Sequence, residues 1–97
     1  MKFMLTWRVH PEKRHEALKA FSQMTSADEA KDRGSEIKLI GRWHDFSGHT
    51  GVAVCEAVDA RALAAWALNW TNILDLETIP VLDDDEARAV GKKKFGL

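Results

Sequence analysis

His10, His44 and His49, with Trp7, Trp43, Trp66 and Trp70, are the residues of this 97-residue chain whose types could do chemistry together. An unperturbed imidazole titrates near pH ~6.5, so a histidine beside a bound molecule can serve as a general base. In a cofactor-independent oxygenase it would deprotonate a phenolic or enolic substrate; in an isomerase it would move a proton. Four tryptophans with no tyrosine offer apolar walls for a compact aromatic or apolar metabolite, and Asn69 and His44 offer the few polar groups such a pocket needs. His44 is the candidate base. Trp7, Trp43, Trp66, Asn69, Trp70, His10 and His49 are the candidate ligand-binding residues. The plainer uses stand beside these: tryptophans build core, and histidines at strand ends are often simply hydrogen-bonded or exposed. Three histidines also raise a metal site. They come from separate positions with no short ligand spacing, so neither a metal nor another cofactor is expected.

The elements that must position these residues are organised around Ile37 to Val58, IKLIGRWHDFSGHTGVAVCEAV. Apolar and polar residues alternate on both sides of Ser47-Gly48, a break suited to a tight turn, which predicts a β-hairpin. Folding the arms together sets Trp43 opposite Val52, Gly41 opposite Val54 and Ile37 opposite Val58. One face then holds Ile37, Leu39, Trp43, Val52, Val54 and Val58, and the other Lys38, Ile40, Arg42, His44, Ala53 and Cys55.

Before the hairpin, Lys2 to Val9 alternates with period two and reads as a strand, ended by His10-Pro11. Ala17, Leu18, Phe21 and Met24 recur at helical spacing behind Pro11 and Glu12, a favourable helix start. Thr25 to Ser35 is polar and reads as a connecting loop holding at most a short helical turn. After the hairpin, Asp59 is a good N-cap for ARALAAWALNW, whose stripe is Leu63, Trp66, Ala67 and Trp70. Ile73 to Leu82 alternates again, and Pro80 suits an edge strand. Asp83-Asp84-Asp85-Glu86 lacks the spacing and glycine of a calcium loop and reads as a helix start. Nothing requires order beyond Gly91.

The order β-α-β-β-α-β is the split βαβ, or ferredoxin-like, arrangement. It predicts an α+β fold with a four-stranded antiparallel sheet in the order 4-1-3-2 and both helices on one face. One domain is expected over 1–97, with its core in 2–82 and a C-terminal extension at 83–97. Strand polarity gathers Trp7, His10, Trp43, His44, His49, Asn69 and Trp70 at one rim, with Trp66 one turn below. By the parity of the hairpin, Trp7 and Trp43 face the helices while His10 and His44 face away. Glu56 falls on the helix side with Arg61 as its expected partner. Arg8 and Arg42 fall on the opposite side, available to a ligand carboxylate or to Glu77. That side also takes Met4, Ile40, Ala53, Cys55, Ala57, Ile79 and Val81, more apolar than a solvated face. A second copy of the chain, packed sheet to sheet as a dimeric α+β barrel, is the expected partner.

A formal net charge of -1 gives no general reason to bind nucleic acid or an anionic membrane. No apolar run approaches the roughly 20 residues of a membrane span. The alternating N-terminus does not resemble a signal peptide, and the single Cys55 excludes an intrachain disulfide. A cytoplasmic protein is expected.

Three segments carry a resemblance over nearly the whole chain: MKFMLTWRVHPEKRHEALKAF, IKLIGRWHDFSGHTGVAV and WALNW with the later PVLDDDEA. They resemble the domain of unknown function 3303 family of small bacterial proteins. That family is similar in layout to the dimeric α+β barrel superfamily, which includes antibiotic-biosynthesis-type monooxygenases, haem-degrading monooxygenases and muconolactone isomerases. The resemblance implies a fold and a pocket location and brings no catalytic residues. Haem-degrading members use an asparagine on the first strand and a histidine on the second helix. Thr6-Trp7 and a histidine-free helix stand there in this chain, so haem chemistry is not implied. Three classes of function follow: a metabolite-binding barrel with oxygenase- or isomerase-type chemistry at His44, a non-catalytic binding or regulatory module, and a structural dimer whose tryptophans are core.

Overall fold

Period-two alternation at the N-terminus becomes the central strand of the sheet. In a computed structural model describing all residues from Met1 to Leu97, β1 (Lys2–Val9) turns Phe3 and Leu5 into the core at 4% and 3% exposure. The sheet continues with β2 (Ile37–Asp45), β3 (Thr50–Ala57) and β4 (Leu74–Val81). It is antiparallel throughout in the order β2-β3-β1-β4. A 3-10 turn at Pro11–Lys13 leads into α1 (Arg14–Ser22), followed by α2 (Ser26–Arg33), α3 (Ala60–Leu68) and α4 (Asp84–Phe95). This is the expected ferredoxin-like α+β fold with two additional helices. No helix is long and apolar enough to cross a membrane.

The hairpin departs from the simple alternation at one residue. Trp43 pairs with Val52 and Gly41 with Val54 as expected, but a bulge between Leu39 and Gly41 shifts the register. Leu39 then pairs with Cys55 and Ile37 with Ala57, not with Val58. The extra residue, Ile40, is exposed. A bulge reverses parity along its strand. Ile37 and Leu39 before it therefore share a face with Arg42 and His44 after it. Leu5 pairs with Ala53 and Phe3 with Cys55, which identifies that shared face as the helix-bearing one. Trp43, Val52 and Val54 lie on the opposite face, and Ala53, Cys55, Ala57, Arg42 and His44 lie beneath the helices, the reverse of the parity expectation. Glu56 is likewise on the helix-free face, where it meets Lys2 at 3.5 Å, while Arg61 pairs with its own N-cap, Asp59.

Small residues on β3 let α3 approach closely. Ala53, Cys55 and Ala57 are buried with Leu63 and Trp66, and Phe3, Leu5 and Ile37 complete the cluster. Asp59 caps α3 as expected, accepting from the Arg61 and Ala62 amides. Full burial of Leu63 contributes about 2 kcal/mol. Burial also pushes the Cys55 thiol pKa up, so it is a packed group and not a nucleophile.

Two further expectations change. The segment expected to be a loop holds α2, started by a capping box in which Thr25 Oγ1 accepts from the Asp28 amide and Asp28 accepts from the Thr25 amide. Helical order also runs past Gly91 to Phe95, because Asp83 and Glu86 form a second capping box and Gly96 closes the other end in the left-handed region at φ 69°. The turn at Ser47-Gly48 is a four-residue loop, Phe46 to His49, and not a tight turn. Asp45 Oδ1 organises it by accepting from the Ser47 amide and hydroxyl and the Gly48 amide. His49 takes φ 55°, a left-handed conformation that histidine adopts more readily than most side chains.

Two tryptophans lie over glycines, one on each face of the sheet. A Cβ at Gly51 would collide with the Trp7 ring across the β1–β3 pair, and one at Gly41 with the Trp43 ring. Glycine in a strand interior ordinarily costs about 0.5–1 kcal/mol relative to alanine. Gly51→Ala is nonetheless expected to destabilise the fold by about 1–3 kcal/mol, because overpacking outweighs the backbone gain. Urea denaturation reads the sign, and a stabilised variant would remove Trp7 from this position.

Candidate ligand-binding site

Helix α1 stands over the sheet with a cavity of about 240 Å³ beneath it. Its apolar lining comes from Leu5, Trp7, Val9, Ala53, Leu74 and Leu76 of the sheet, Phe46 of the hairpin loop, Ala17, Leu18 and Phe21 of α1, Met24 just beyond it, and Trp66, Ala67 and Trp70 from α3 and its exit. The polar residues around it are Arg14, His15, Asp32, Arg42, His44, Asp45, His49 and Thr50. Apolar walls with a few converging polar groups suit a small organic molecule.

Of the residues singled out in the sequence, Trp7, Trp66, Trp70, His44 and His49 line this cavity. Trp43 does not: it is on the helix-free face and 61% exposed. His10 is drawn to the sheet edge, where its Nε2 lies 3.0 Å from Asp75 Oδ1. Asn69 stands outside the lining and donates from Nδ2 to the Asp32 backbone carbonyl at 3.0 Å and to Asp32 Oδ1 at 3.1 Å. The histidines therefore do not assemble as a metal centre, and no group of three or more His, Cys, Asp or Glu side chains is placed to hold a metal ion.

Asp32 is the residue that periodicity did not reveal. Trp66 Nε1 donates to its Oδ2 at 3.0 Å, and Trp70 Nε1 donates to both oxygens, at 3.1 Å and 2.9 Å. Trp66, Asn69 and Trp70 stand at i, i+3 and i+4, so one face of the α3 end presents three N–H donors together. A carboxylate from α2 satisfies all three, which fixes the indole planes that wall the cavity. The available signals were the spacing of the three donors and the Thr25–Asp28 capping box that starts α2.

Arg42 also belongs to the helix side. Its Nη2 donates to Glu29 Oε1 at 2.8 Å, and its guanidinium lies 4.7 Å from the Phe21 ring centroid. Neither Glu77 nor the far face is involved. The His44 ring sits 4.8 Å from Phe21, 5.6 Å from Trp7 and 6.1 Å from Phe46, centroid to centroid. Although its edge is open to solvent, desolvation among these rings, helped by the Arg42 charge, holds its pKa below the usual 6.5. At neutral pH it is an uncharged imidazole able to accept a proton.

Truncating Asp32 to alanine leaves two indole N–H groups without their acceptor, while the Asn69 amide keeps the backbone carbonyl of residue 32. Hydrogen bonds to a charged group are worth about 1.5–3 kcal/mol each, and these share one carboxylate. Asp32→Ala is expected to cost about 2–3 kcal/mol in urea denaturation and to change the tryptophan emission of the native state. His44 gives a pH prediction. With its folded pKa lowered, the unfolded chain binds more protons as pH falls through 6.5, so stability drops there and levels off below the folded pKa. An NMR titration is expected to place the His44 midpoint below 6.5, and His44→Gln should flatten that part of the stability profile.

Residues 1–95 match the family described as "Domain of unknown function (DUF3303)". No curated protein matches the sequence. Among solved structures, SCO4226 from Streptomyces coelicolor A3(2) is similar at 17% identity, with 86% of this chain and 100% of that chain covered and a TM-score of 0.50. An uncharacterized NIPSNAP domain protein from Burkholderia xenovorans is similar at 17% identity, with 86% of this chain and 95% of that chain covered and a TM-score of 0.45. The likeness to SCO4226 is one of fold. On a match spanning all but its last two residues, the chain belongs to the DUF3303 family.

Proposed function

We propose that this domain binds a compact aromatic or apolar small molecule in the cavity beneath α1, with His44 as a general base at its mouth. The observation that supports the reading most is the cavity itself: about 240 Å³ of space walled by Trp7, Trp66 and Trp70 and open beside a neutral imidazole. A base must reach the proton it removes and must be unprotonated at working pH. His44 would take a proton from an acidic O–H or C–H of the bound molecule. In an isomerisation the imidazolium returns it to another carbon; in a cofactor-independent oxygenation the resulting anion reacts with dioxygen. A second reading, a non-catalytic ligand-binding or regulatory module, uses the same walls without the proton transfer.

The helix-free face would carry a second copy of the chain, giving a dimeric α+β barrel. Trp43, Ile40 and Ile79 are 61%, 51% and 42% exposed there, next to Met4, Val52 and Val54. A two-fold axis makes such a patch its own partner.

Native mass spectrometry of freshly purified protein tests both parts. The expected mass is two chains plus a small adduct, and Trp70→Ala should weaken adduct affinity about tenfold, the effect of losing ~1.4 kcal/mol of contact. With the adduct identified, His44→Ala should abolish its turnover while retaining binding. Binding without turnover in the wild type selects the regulatory reading. A bare monomer would count against both cavity ligand and barrel.

A further inference from the structure

The hydrogen-bonding capacity left open around the cavity is unequal in kind. Of the two carboxylates that reach it, Asp32 has both oxygens engaged within the chain and Asp45 has one. Asp32 accepts from Trp66, Asn69 and Trp70, and Asp45 Oδ1 accepts three hydrogen bonds from its own loop. The cation left over is a guanidinium. Arg14, exposed at the mouth on the first turn of α1, stands outside the ion pairs that occupy its neighbour Lys13 and the deeper Arg42. His15, His44 and His49 line the same opening, and His10, which does not, is the histidine whose ring is hydrogen-bonded. A bound molecule thus meets apolar walls below and, at the rim, a permanently cationic guanidinium beside imidazoles that each keep one donor and one acceptor.

We propose that the ligand is an aromatic carboxylate, its ring held between Trp7 and Trp70 and its carboxylate held at the mouth by Arg14 with the neighbouring imidazoles. This rests on the reading of the cavity as a ligand site and adds the charge of what enters it. Arginine is suited to the task because its planar fork matches a carboxylate and never deprotonates at working pH. The carboxylate also places the ring inward, against the apolar floor of Leu5 and Leu76, and sets the ligand's orientation relative to His44. A cationic ligand would face Arg14 at the mouth, where Asp45 Oδ2 is the carboxylate oxygen left open, and a neutral one would leave the guanidinium unanswered.

The test titrates the 97-residue chain with 2-naphthoate, its neutral isostere 2-naphthamide and the cation 2-naphthylmethylammonium, following the indole N–H signals of Trp66 and Trp70 by NMR. Naphthoate is expected to bind about tenfold more tightly than the amide, the gain of one charge-assisted contact, and the cation most weakly. Arg14→Gln should bring naphthoate down to the affinity of the amide, and Arg14→Lys should restore part of the difference. Equal or tighter binding of the amide by the wild type overturns the anionic assignment while leaving the cavity reading intact. A naphthoate preference that survives in Arg14→Gln overturns the role of Arg14. If none of the three moves the Trp66 and Trp70 signals, the cavity reading fails and this inference with it. Arg14 is exposed and its substitution leaves the core untouched, so loss of folding does not confuse the outcome.

Discussion

A carboxylate shared by two indoles and an amide holds the cavity end of this molecule in place. Buried tryptophan brings a large apolar surface but also an N–H that needs an acceptor. Trp66 and Trp70 both turn that group toward Asp32, so α2 and α3 are joined through the polar edges of the residues that wall the cavity. The apolar parts of the same rings are thereby left for packing and for the cavity. Without the shared acceptor, the two indoles would have to turn toward water, and the wall would open.

The sheet contributes a second constraint, through its register. One inserted residue at Ile40 reverses parity along β2, so that Ile37 can anchor the core near one end of the strand while His44 faces the same side near the other. Trp43 is sent to the opposite face by the same reversal. Close approach sets both tryptophan positions: Trp7 and Trp43 each need a glycine beneath the ring. The cavity side and the helix-free side are thus coupled through the backbone of one hairpin.

Much of the fold was legible because its signals are periodic. Alternation in Lys2–Val9, the Asp59 cap and the apolar stripe of Leu63 and Trp66 each pointed to the element found, and their order led to the sheet topology. What escaped was aperiodic. A bulge leaves the composition of a strand unchanged and alters only which face each residue meets, so the faces of Trp43, His44, Arg42, Ala53, Cys55 and Glu56 were read in reverse. α2 is polar around its circumference, with no buried residue, so it carries no stripe to read. Its start is marked by a cap and its purpose by Asp32, whose partners lie 34 to 38 residues away. The placement of Trp7, His44 and His49 at one rim followed from strand polarity, and that of Trp70, with Trp66 one turn below, from the direction of the helix after the hairpin. The polar partners that orient them required coordinates.

Helix α4 has a consequence of a different kind. None of its residues is buried, and its attachment to the sheet is the ionic cluster of Lys2 with Asp83 and Glu86, each at 3.2 Å. Twelve residues are near the lower limit for a helix standing in water, even with good caps at both ends. The free energy that opens α4 would therefore be nearly separate from the free energy that unfolds the sheet, a local opening beneath the global one. In hydrogen exchange, its amides would form a fast class set by local fraying and ionic strength, while those of β1 and β3 report the global unfolding of the domain.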